Sequence, residues 1–473
     1  MAKASLFNEL CKLLRQAGLE IRVESFKSPP DTAGGFCRIR GKNLILLHSG
    51  ASKPERAQAL IEVVERMGLT ELGKNGTDLS PELLARLNRR GQMPWPHRSE
   101  APSIAKTGNY SIPDLRIVPP DNKLSHFTTM GVGGEPQHLK TAFSEADIID
   151  ATRECKKSED ALFLLGGGSN VVVSDNGVSG TVLRVALRGI EIAEDGEDVL
   201  VTAAAGENWH DFAEQMSAEN LAGIECLGGI PGAVGATPIQ NVGAYGQDVG
   251  QTIESVRLLD RSTLKILDFN NESCLFAYRD SVFKGKERDK YIVLAVTYRL
   301  KRDAAPCIRY GELSRTLEDK KRAPSLSEVF ETVVELRRRK SMVLDPNDEN
   351  TRSCGSFFVN AQVNQETINT IGKMVGEAPP TFPGENGLIK VPSAWLIEKA
   401  GLGKGFRQGP VGISTKHTLA IVAHEGALAQ DIVQLAHHIR EKVERAFSVR
   451  LVPEPHFWGF SSFDEGLPVI TPQ

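Results

Sequence analysis

Long apolar runs, paired cysteines and an excess of basic residues are all missing from this sequence of 473 residues. No stretch reaches the roughly 18 apolar residues that a membrane-spanning helix needs, and the N-terminus lacks the apolar core of a secretory signal. The seven cysteines form no CxxC pair, which argues against a disulfide framework and against a zinc site. A net charge of -4 disfavours nucleic acid as the main partner. We therefore expect a cytoplasmic protein with no membrane span, no nucleic-acid partner and no metal.

The composition predicts folded domains with one interruption. Hydrophobic residues make up 40% of the chain and charged residues 25%, as in ordinary globular proteins. The length favours two to four domains. Residues 91–121 contain six prolines among polar residues, and proline removes backbone donors and resists helix formation. We interpret residues 91–121 as an extended linker that follows a first domain, residues 1–90.

Residues 1–90 have the pattern of a small α+β domain. Strands are predicted over 35–39 and 43–47, joined by a Gly-Lys turn. Helices are predicted to begin near residues 5 and 53, and a short third helix over 80–90. The first helix has leucines at helical spacing, namely Leu6, Leu10, Leu13 and Leu14. No catalytic or metal-binding motif is visible in this domain, so we expect a docking or regulatory module for a protein partner.

From residue 122 onward, glycine-rich turns separate short apolar strands. Helical periodicity predicts helices over 145–155, 209–219, 324–340 and 428–447. The third of these has a serine suited to capping its start, either Ser325 or Ser327. A strand is predicted over 448–452. The mixture predicts an α+β fold.

Two glycine-rich loops are the strongest local signals. In the first, LGGGSN, successive glycines can turn several N–H groups toward one face, which suits a pyrophosphate. The second, GGIPGAVGATPIQNVGAYG, suits backbone that lies against a large flat ligand. A simple tight turn and a closely packed buried loop are the structural alternatives. Because a strand follows the first loop and no GxGxxG motif occurs, neither loop is a Rossmann site.

Seven motifs follow one another over residues 122–460, about three quarters of the chain. They are FTTMGVGG at 127–134, LGGGSN at 165–170, IPGAVGATPIQNVGAYGQ at 230–247, YRDSVFK at 278–284, GSFFVN at 355–360, PSAWLIEKAG at 392–401 and VPEPHFWG at 452–459. In this order the motifs resemble the UDP-N-acetylmuramate dehydrogenase family, also called UDP-N-acetylenolpyruvoylglucosamine reductases. The segment at Tyr310 and the lysine at 340 resemble the longer form of the family.

The resemblance implies a particular fold. A two-lobed FAD-binding domain of the vanillyl-alcohol-oxidase type would occupy 122–340, with lobes over 122–187 and 188–340. A substrate-binding α+β domain would occupy 341–447, and the tail, 448–473, would return to the flavin domain.

The resemblance also implies a reaction and three catalytic residues. NADPH would reduce non-covalently bound FAD, which would then pass hydride to C3 of UDP-N-acetylglucosamine enolpyruvate and give UDP-N-acetylmuramate, a peptidoglycan precursor. Arg279 and Glu454 would stabilise the enolate, and Ser356 would protonate C2. Each of the three also has a structural alternative without the family context. Arg279 could form a surface salt bridge with Asp280, Ser356 could be a turn residue, and Glu454 could be a solvated surface residue.

The remaining site residues follow from the same resemblance. Tyr310, Lys340 and Asn360 would bind the substrate, although Lys340 also suits a charge at a helix C-terminus. The flavin pyrophosphate and ring would contact the two glycine loops. The cofactor residues are Gly166, Gly167, Gly168, Ser169, Asn170, Gly228, Ile230, Pro231, Gly232, Gly235, Gln240, Asn241, Gly243, Ala244 and Tyr245.

Two departures from the family pattern and two alternatives accompany this hypothesis. Val359 precedes Asn360 where the family often has lysine, and Pro455-His456 replaces a usual Val-Arg pair. Both flank catalytic positions without removing them. One alternative is a related FAD oxidase, but the LGGGSN loop lacks the histidine that often attaches flavin in such enzymes. The other is a noncatalytic regulatory relative, although the three catalytic candidates are intact.

Overall fold

The computed structural model describes residues 121–318, 322–384 and 387–460. Nearer the N-terminus it describes residues 10, 11, 14, 20–24, 34–39, 42–48, 56 and 60. Contacts between Cα atoms divide the chain into two compact units, residues 1–107 and 108–473. The predicted linker therefore lies outside the described residues except at residue 121.

The described part of the first unit contains a three-stranded sheet. Its strands are β1 (Glu20–Glu24), β2 (Gly34–Ile39) and β3 (Lys42–His48). The central strand β3 pairs in parallel with β1 and antiparallel with β2, so the predicted hairpin is confirmed and β1 was not predicted. Residues 10, 11, 14, 56 and 60 are helical, and Leu10, Leu14 and Leu60 are buried. The predicted helix over 80–90 lies outside the described residues.

The four long helices predicted for the second unit are confirmed. Two of them start with a capping box: Ser144 with Asp147, and Ser325 with Glu328, exchange side-chain and backbone hydrogen bonds. Within the described residues no helix is long and apolar enough to span a bilayer. The helices are α1 (Glu145–Ser158), α2 (Trp209–Ala218), α3 (Asn271–Cys274), α4 (Gly311–Leu317), α5 (Leu326–Arg339), α6 (Gln365–Val375), α7 (Ser393–Lys399) and α8 (Ala429–Phe447).

Most strands of the second unit are short, as the spacing of its glycine-rich turns predicts, although β15 has 12 residues. In chain order they are β4 (Pro136–Ala142), β5 (Leu162–Leu165), β6 (Val171–Val173), β7 (Val178–Val185), β8 (Ile190–Asp195), β9 (Asp198–Ala204), β10 (Leu221–Ala222), β11 (Gly243–Ala244), β12 (Gln247–Asp248), β13 (Ile253–Asp260), β14 (Ile266–Asn270), β15 (Tyr291–Arg302), β16 (Ala361–Val363), β17 (Phe382–Pro383), β18 (Ile389–Val391), β19 (Arg407–Gln408), β20 (Val411–Ile413), β21 (Ile421–Ala423) and β22 (His456–Trp458).

The two glycine loops are connected in the chain to strands of two sheets. A parallel sheet has the order β4-β7-β5, and the first glycine loop leaves it at the end of β5. An antiparallel sheet has the order β14-β13-β15-β9-β8, with β10 added beside β15. Side chains from α1, β7 and the antiparallel sheet share one buried apolar cluster. The strands and helices together confirm the predicted α+β class.

Residues beyond 340, together with Met130, Val132 and Val172, form a second apolar core. The small antiparallel sheets β16-β18-β17 and β19-β20-β21 accompany α6, α7 and α8 around it. Phe357 and Phe358 of the GSFF motif are fully enclosed in this core. That burial fixes the backbone of the motif, so the neighbouring Ser356 has a defined position.

The predicted strand over 448–452 is wrong. Ser448 has a φ of 55° and ends α8 in a left-handed cap, after which the chain runs beside the GSFF segment. Glu454 N donates to Phe357 O at 2.9 Å, and Val359 N donates to Val452 O at 3.0 Å. Regular strand geometry begins only at β22, which pairs in parallel with β6, directly after the first glycine loop. Periodicity cannot reveal this pairing because its partner lies almost 300 residues away.

Candidate functional site

A cavity of about 390 Å³ lies where the two glycine loops meet the YRDS, GSFF and VPEP segments. Its volume falls in the range of small-molecule sites. The lining combines apolar side chains with a few polar and charged groups. Besides both loops, the lining includes Tyr278, Arg279, Arg337, Ser341, Met342, Ser353, Ser356, Asn360, Glu454, His456 and Trp458.

The two glycine loops are in direct contact. A Cβ added at Gly167 would lie 2.8 Å from the Cα of Gly232, so neither loop leaves room for a side chain there. Ser169 Oγ donates to Pro231 O at 3.0 Å, and Asn170 Nδ2 donates to Gln240 Oε1 at 3.2 Å. Side-chain hydroxyl and amide groups of the first loop therefore fix it to the second. Backbone N–H groups of a glycine-rich turn at such a junction suit an anionic ligand.

The three catalytic candidates come together at this cavity from distant parts of the chain. Arg279, Ser356 and Glu454 all line it. The Nε of Arg279 lies 4.0 Å from Oε1 of Glu454, and the two side chains are 28% and 14% exposed. Glu454 is therefore largely enclosed, unlike a typical carboxylate near a chain terminus.

The environment of Glu454 favours its neutral form. Burial raises the pKa of the Glu454 carboxyl above its usual value of 4.5, while the nearby charges of Arg279 and Lys284 act in the opposite direction. A carboxyl group with a raised pKa can donate a proton or hydrogen bond that an ordinary glutamate cannot. Lys284 was not predicted as a site residue, and its Nζ also donates to the backbone O of Arg279 at 2.9 Å.

Arg279 is held by the second glycine loop. Its Nη2 donates to Gly243 O at 2.5 Å and its Nη1 to Asn241 O at 3.5 Å. The residue has a φ of 55°, in the left-handed region that non-glycine residues seldom adopt. Such conformations persist where surrounding contacts impose them, and they occur often at functional sites. The guanidinium is thus fixed in place before any ligand arrives.

The predicted cofactor residues divide into two groups. Gly166, Gly167, Gly168, Ser169, Asn170, Ile230, Pro231, Gly232, Gln240 and Gly243 line the cavity. The other group lies in the same loop but outside the lining, namely Gly228, Gly235, Asn241, Ala244 and Tyr245. Asn241 shows why a loop residue can face away: its side-chain amide donates to Ala277 O at 3.0 Å and its Oδ1 accepts from Gly250 N at 2.9 Å.

The predicted substrate residues are also divided. Asn360 lines the cavity, and its Oδ1 accepts from Ser393 N at 3.2 Å. Tyr310 and Lys340 instead meet Tyr245 at the edge: the two tyrosine rings lie edge to face at 5.1 Å, and Lys340 Nζ is 5.8 Å from the ring centre of Tyr245. Lys340 also pairs with Glu312 at 2.5 Å. We call Tyr245, Tyr310 and Lys340 the tyrosine–lysine cluster. It lies next to the cavity, since residues 341–344, which follow Lys340, and Gly243, two residues before Tyr245, line the cavity.

Arg337 and His456 are among the lining residues that sequence reasoning did not assign to the site. The guanidinium of Arg337 lies in the cavity wall, and its Nη2 donates to Met342 O at 2.9 Å. His456, one of the departures from the family pattern, also lines the cavity, and burial beside Arg288 and Lys284 lowers its pKa to about 4. Its imidazole is thus neutral near pH 7. Arg337 lies only three residues before Lys340, and His456 two after Glu454, so proximity to predicted residues was the available signal.

Comparisons with known proteins identify the family of the chain. The model of the UDP-N-acetylenolpyruvoylglucosamine reductase C-terminal domain matches residues 345–458, and a model of an FAD-binding domain matches residues 136–268. Two curated relatives, both called UDP-N-acetylenolpyruvoylglucosamine reductase, cover most of their own length. The protein of Thermobifida fusca is 44% identical over 342 residues, 70% of this chain and 95% of that protein. The protein of Streptomyces coelicolor is 42% identical over 373 residues, 76% of this chain and 96% of that protein.

Among solved structures, the UDP-N-acetylenolpyruvylglucosamine reductase of Thermus caldophilus is 23% identical to this chain. The match covers 71% of this chain and 97% of that chain, with a TM-score of 0.48. The identities to the curated relatives, over nearly their whole length, decide the assignment. The chain belongs to the UDP-N-acetylenolpyruvoylglucosamine reductase family and is an FAD-dependent oxidoreductase.

Proposed function

We propose that this protein reduces UDP-N-acetylglucosamine enolpyruvate to UDP-N-acetylmuramate with NADPH as the electron donor. The observation that supports it most is the meeting of Arg279, Ser356 and Glu454 at one cavity bordered by both glycine loops. The product is a peptidoglycan precursor, so the proposal includes a role in cell-wall synthesis in the cytoplasm. The direct test is mass spectrometry of the reaction, which should show the substrate gaining two hydrogens at the expense of NADPH.

The residues at the junction of the two loops fit FAD. Gly166 to Asn170 offer backbone N–H groups and two polar side chains to a pyrophosphate, and Gly167 lies too close to Gly232 for any side chain to fill the cradle. Ile230 to Gly232 would border the flavin ring. Bound there, FAD supplies the hydride that C3 of the enolpyruvyl group receives.

Three residues of the chain would stabilise the negative charge of the enolate and supply the proton for C2. Arg279 would bind the substrate carboxylate in bidentate fashion and stabilise the negative charge that develops there. Glu454, whose pKa is raised by burial, would in its protonated form donate a hydrogen bond to the same developing charge. Ser356 Oγ would give its proton to C2. A serine is a weak acid, but an enolate carbon is basic enough to take its proton once the two are positioned.

The other end of the substrate is assigned to the tyrosine–lysine cluster. Lys340 and Tyr310 carry the ammonium and hydroxyl donors that suit a diphosphate. Asn360 would contact the substrate from the cavity wall. Val359 precedes Asn360 and His456 follows Glu454 by two residues, and both line the cavity. Neither replaces a catalytic candidate, so the departures are expected to affect substrate affinity more than reaction type.

Gly167→Ala is expected to weaken flavin binding by about one to two orders of magnitude. The added methyl group would overlap the Gly232 backbone at 2.8 Å, and overpacking of this kind costs roughly 1–3 kcal/mol. Flavin fluorescence during titration of the apoprotein measures the change. Gly403→Ala is the matched control, because no atom of the described residues lies within 4 Å of the Cβ added there. Equal flavin affinity in the two variants would contradict the proposal that the loop over 166–170 binds the flavin pyrophosphate.

The stability contributed by Glu454 is expected to fall as pH rises. Its pKa is raised in the folded state, so its protonated form is favoured there, and its contribution is full below its usual value of 4.5 and lost above the folded pKa. Glu454→Gln stays neutral at every pH. The melting temperature of the variant relative to wild type should therefore rise with pH above about pH 4.5 and level off above the folded pKa of Glu454. A pH-independent difference would contradict burial of this carboxyl.

A further inference from the structure

A buried carboxylate outside the cavity connects segments that border it. Glu225 precedes the second glycine loop and is 0% exposed. Its Oε2 accepts from Gly223 N at 2.7 Å. Its Oε1 accepts from Gln247 Nε2 at 2.9 Å and from Cys307 N at 2.9 Å. A buried carboxylate needs such donors, because without them its removal from water would be strongly unfavourable.

Two of these donors belong to the segments that carry the cluster tyrosines. Gln247 begins β12, and the turn from β11 to β12 contains Tyr245. Cys307 lies three residues before Tyr310, which precedes α4. Glu225 is therefore the common partner of two segments whose rings meet 5.1 Å apart.

The segment over 303–310 depends on a small set of contacts for its position. It contains no helix or strand. Besides the bond to Glu225, Asp303 N donates to Asn220 O at 2.9 Å, and Cys307 O accepts from Cys226 Sγ at 3.2 Å. Ile308 packs on the apolar cluster of α4 and α5. The charge-assisted bond that Cys307 N donates to the buried carboxylate of Glu225 is the strongest kind of contact in this set. Its loss should loosen the segment locally.

We propose that Glu225 is a positioning residue for substrate binding: it fixes the 303–310 segment so that Tyr310 meets Tyr245 and Lys340 at the cavity edge. This inference rests on the proposed function, which assigns Tyr310 and Lys340 to the diphosphate of a nucleotide sugar. Glu225 touches neither the cavity nor the tyrosine–lysine cluster directly. It acts through Cys307 and Gln247.

The substitution Glu225→Gln keeps the side-chain volume but replaces one acceptor oxygen with an NH₂ donor. It therefore tests the hydrogen bonds of Glu225 and not its packing. One amide orientation keeps the oxygen toward Cys307 N and Gln247 but turns an NH₂ group against Gly223 N. The opposite orientation turns the NH₂ group against Cys307 N and Gln247 Nε2. Either way at least two donors face each other, so the network cannot persist unchanged.

The test uses the full-length protein with bound FAD and compares Glu225→Gln with Asp260→Asn. Asp260 is a matched control because it is also buried and accepts backbone N–H bonds, from Ser262 at 2.8 Å and Thr263 at 2.9 Å, but at a turn away from the cavity lining. We expect Glu225→Gln to raise KM for the enolpyruvyl substrate on the order of tenfold. NADPH should reduce the flavin of both variants at the wild-type rate. Hydrogen exchange of 303–310 should accelerate in Glu225→Gln alone.

Several results would overturn the inference while leaving the proposed function intact. An unchanged KM for Glu225→Gln would do so, as would an equal rise in Asp260→Asn or loss of FAD from Glu225→Gln. If Glu225→Gln fails to fold, exchange in the wild-type holoenzyme decides: peptides over 303–310 should exchange slowly and become slower with substrate. Fast exchange there would overturn the inference. If wild-type protein does not turn over the substrate at all, the proposed function itself fails.

Discussion

Ser356→Ala is expected to accept electrons from NADPH at the wild-type rate yet to transfer them to the enolpyruvyl substrate about 10²–10⁴ times more slowly. The reason is specific to the second half of the reaction. Ser356 lines the cavity beside the fully buried Phe357, so its backbone has a defined position and its hydroxyl is proposed as the proton source for C2. Reduction of the flavin by NADPH needs no such proton.

Stopped-flow absorbance at the flavin band follows the two half-reactions of Ser356→Ala separately. Ser414→Ala is a suitable control, because Ser414 is a buried serine of the same domain whose Oγ accepts from Lys416 N at 3.1 Å, outside the cavity lining. It should lose some stability and keep both rates. Near-normal reoxidation of Ser356→Ala by the substrate would remove this serine from its proposed role.

Arg279→Lys is expected to lower kcat/KM for the enolpyruvyl substrate by about 10²–10³ and to leave FAD bound. Lysine retains the charge but not the planar fork that grips a carboxylate through two hydrogen bonds. It also cannot reproduce the two bonds that the guanidinium donates to Asn241 O and Gly243 O. The cation would therefore be less fixed, and preorganisation of charge is what the reaction requires.

Steady-state kinetics on Arg279→Lys and Arg257→Lys make the comparison. Arg257 is a partly exposed arginine on the antiparallel sheet that pairs with Glu145 at 2.8 Å. Surface pairs contribute little, so the Arg257 variant should match wild type. Equal activity of Arg279→Lys and wild type would show that a bidentate carboxylate contact is not made.

Local sequence signals predicted the elements whose determinants lie close together in the chain. Ser325 and Glu328 are three residues apart and form the capping box that starts α5. The hairpin of β2 and β3 follows from its turn. The strand predicted over 448–452 failed because the residues there resemble a strand while their bonding partner, the GSFF segment, lies about a hundred residues earlier.

The site shows the same limit. Motifs located Arg279, Ser356 and Glu454, and the structure brings all three to one cavity. They could not show that Tyr245 turns from the lining toward Tyr310, since that depends on the hairpin of β11 and β12. Nor could they reveal Glu225, whose importance lies in the three segments that it joins and not in a motif of its own.

The most direct test of the central claim is the absorbance of the bound flavin in the purified full-length protein, first with NADPH and then with UDP-N-acetylglucosamine enolpyruvate. We predict a yellow protein that bleaches on addition of NADPH under anaerobic conditions and regains its full absorbance with one equivalent of the enolpyruvyl substrate. A flavin that stays bleached in the presence of that substrate, or a protein that binds no flavin, would contradict the account.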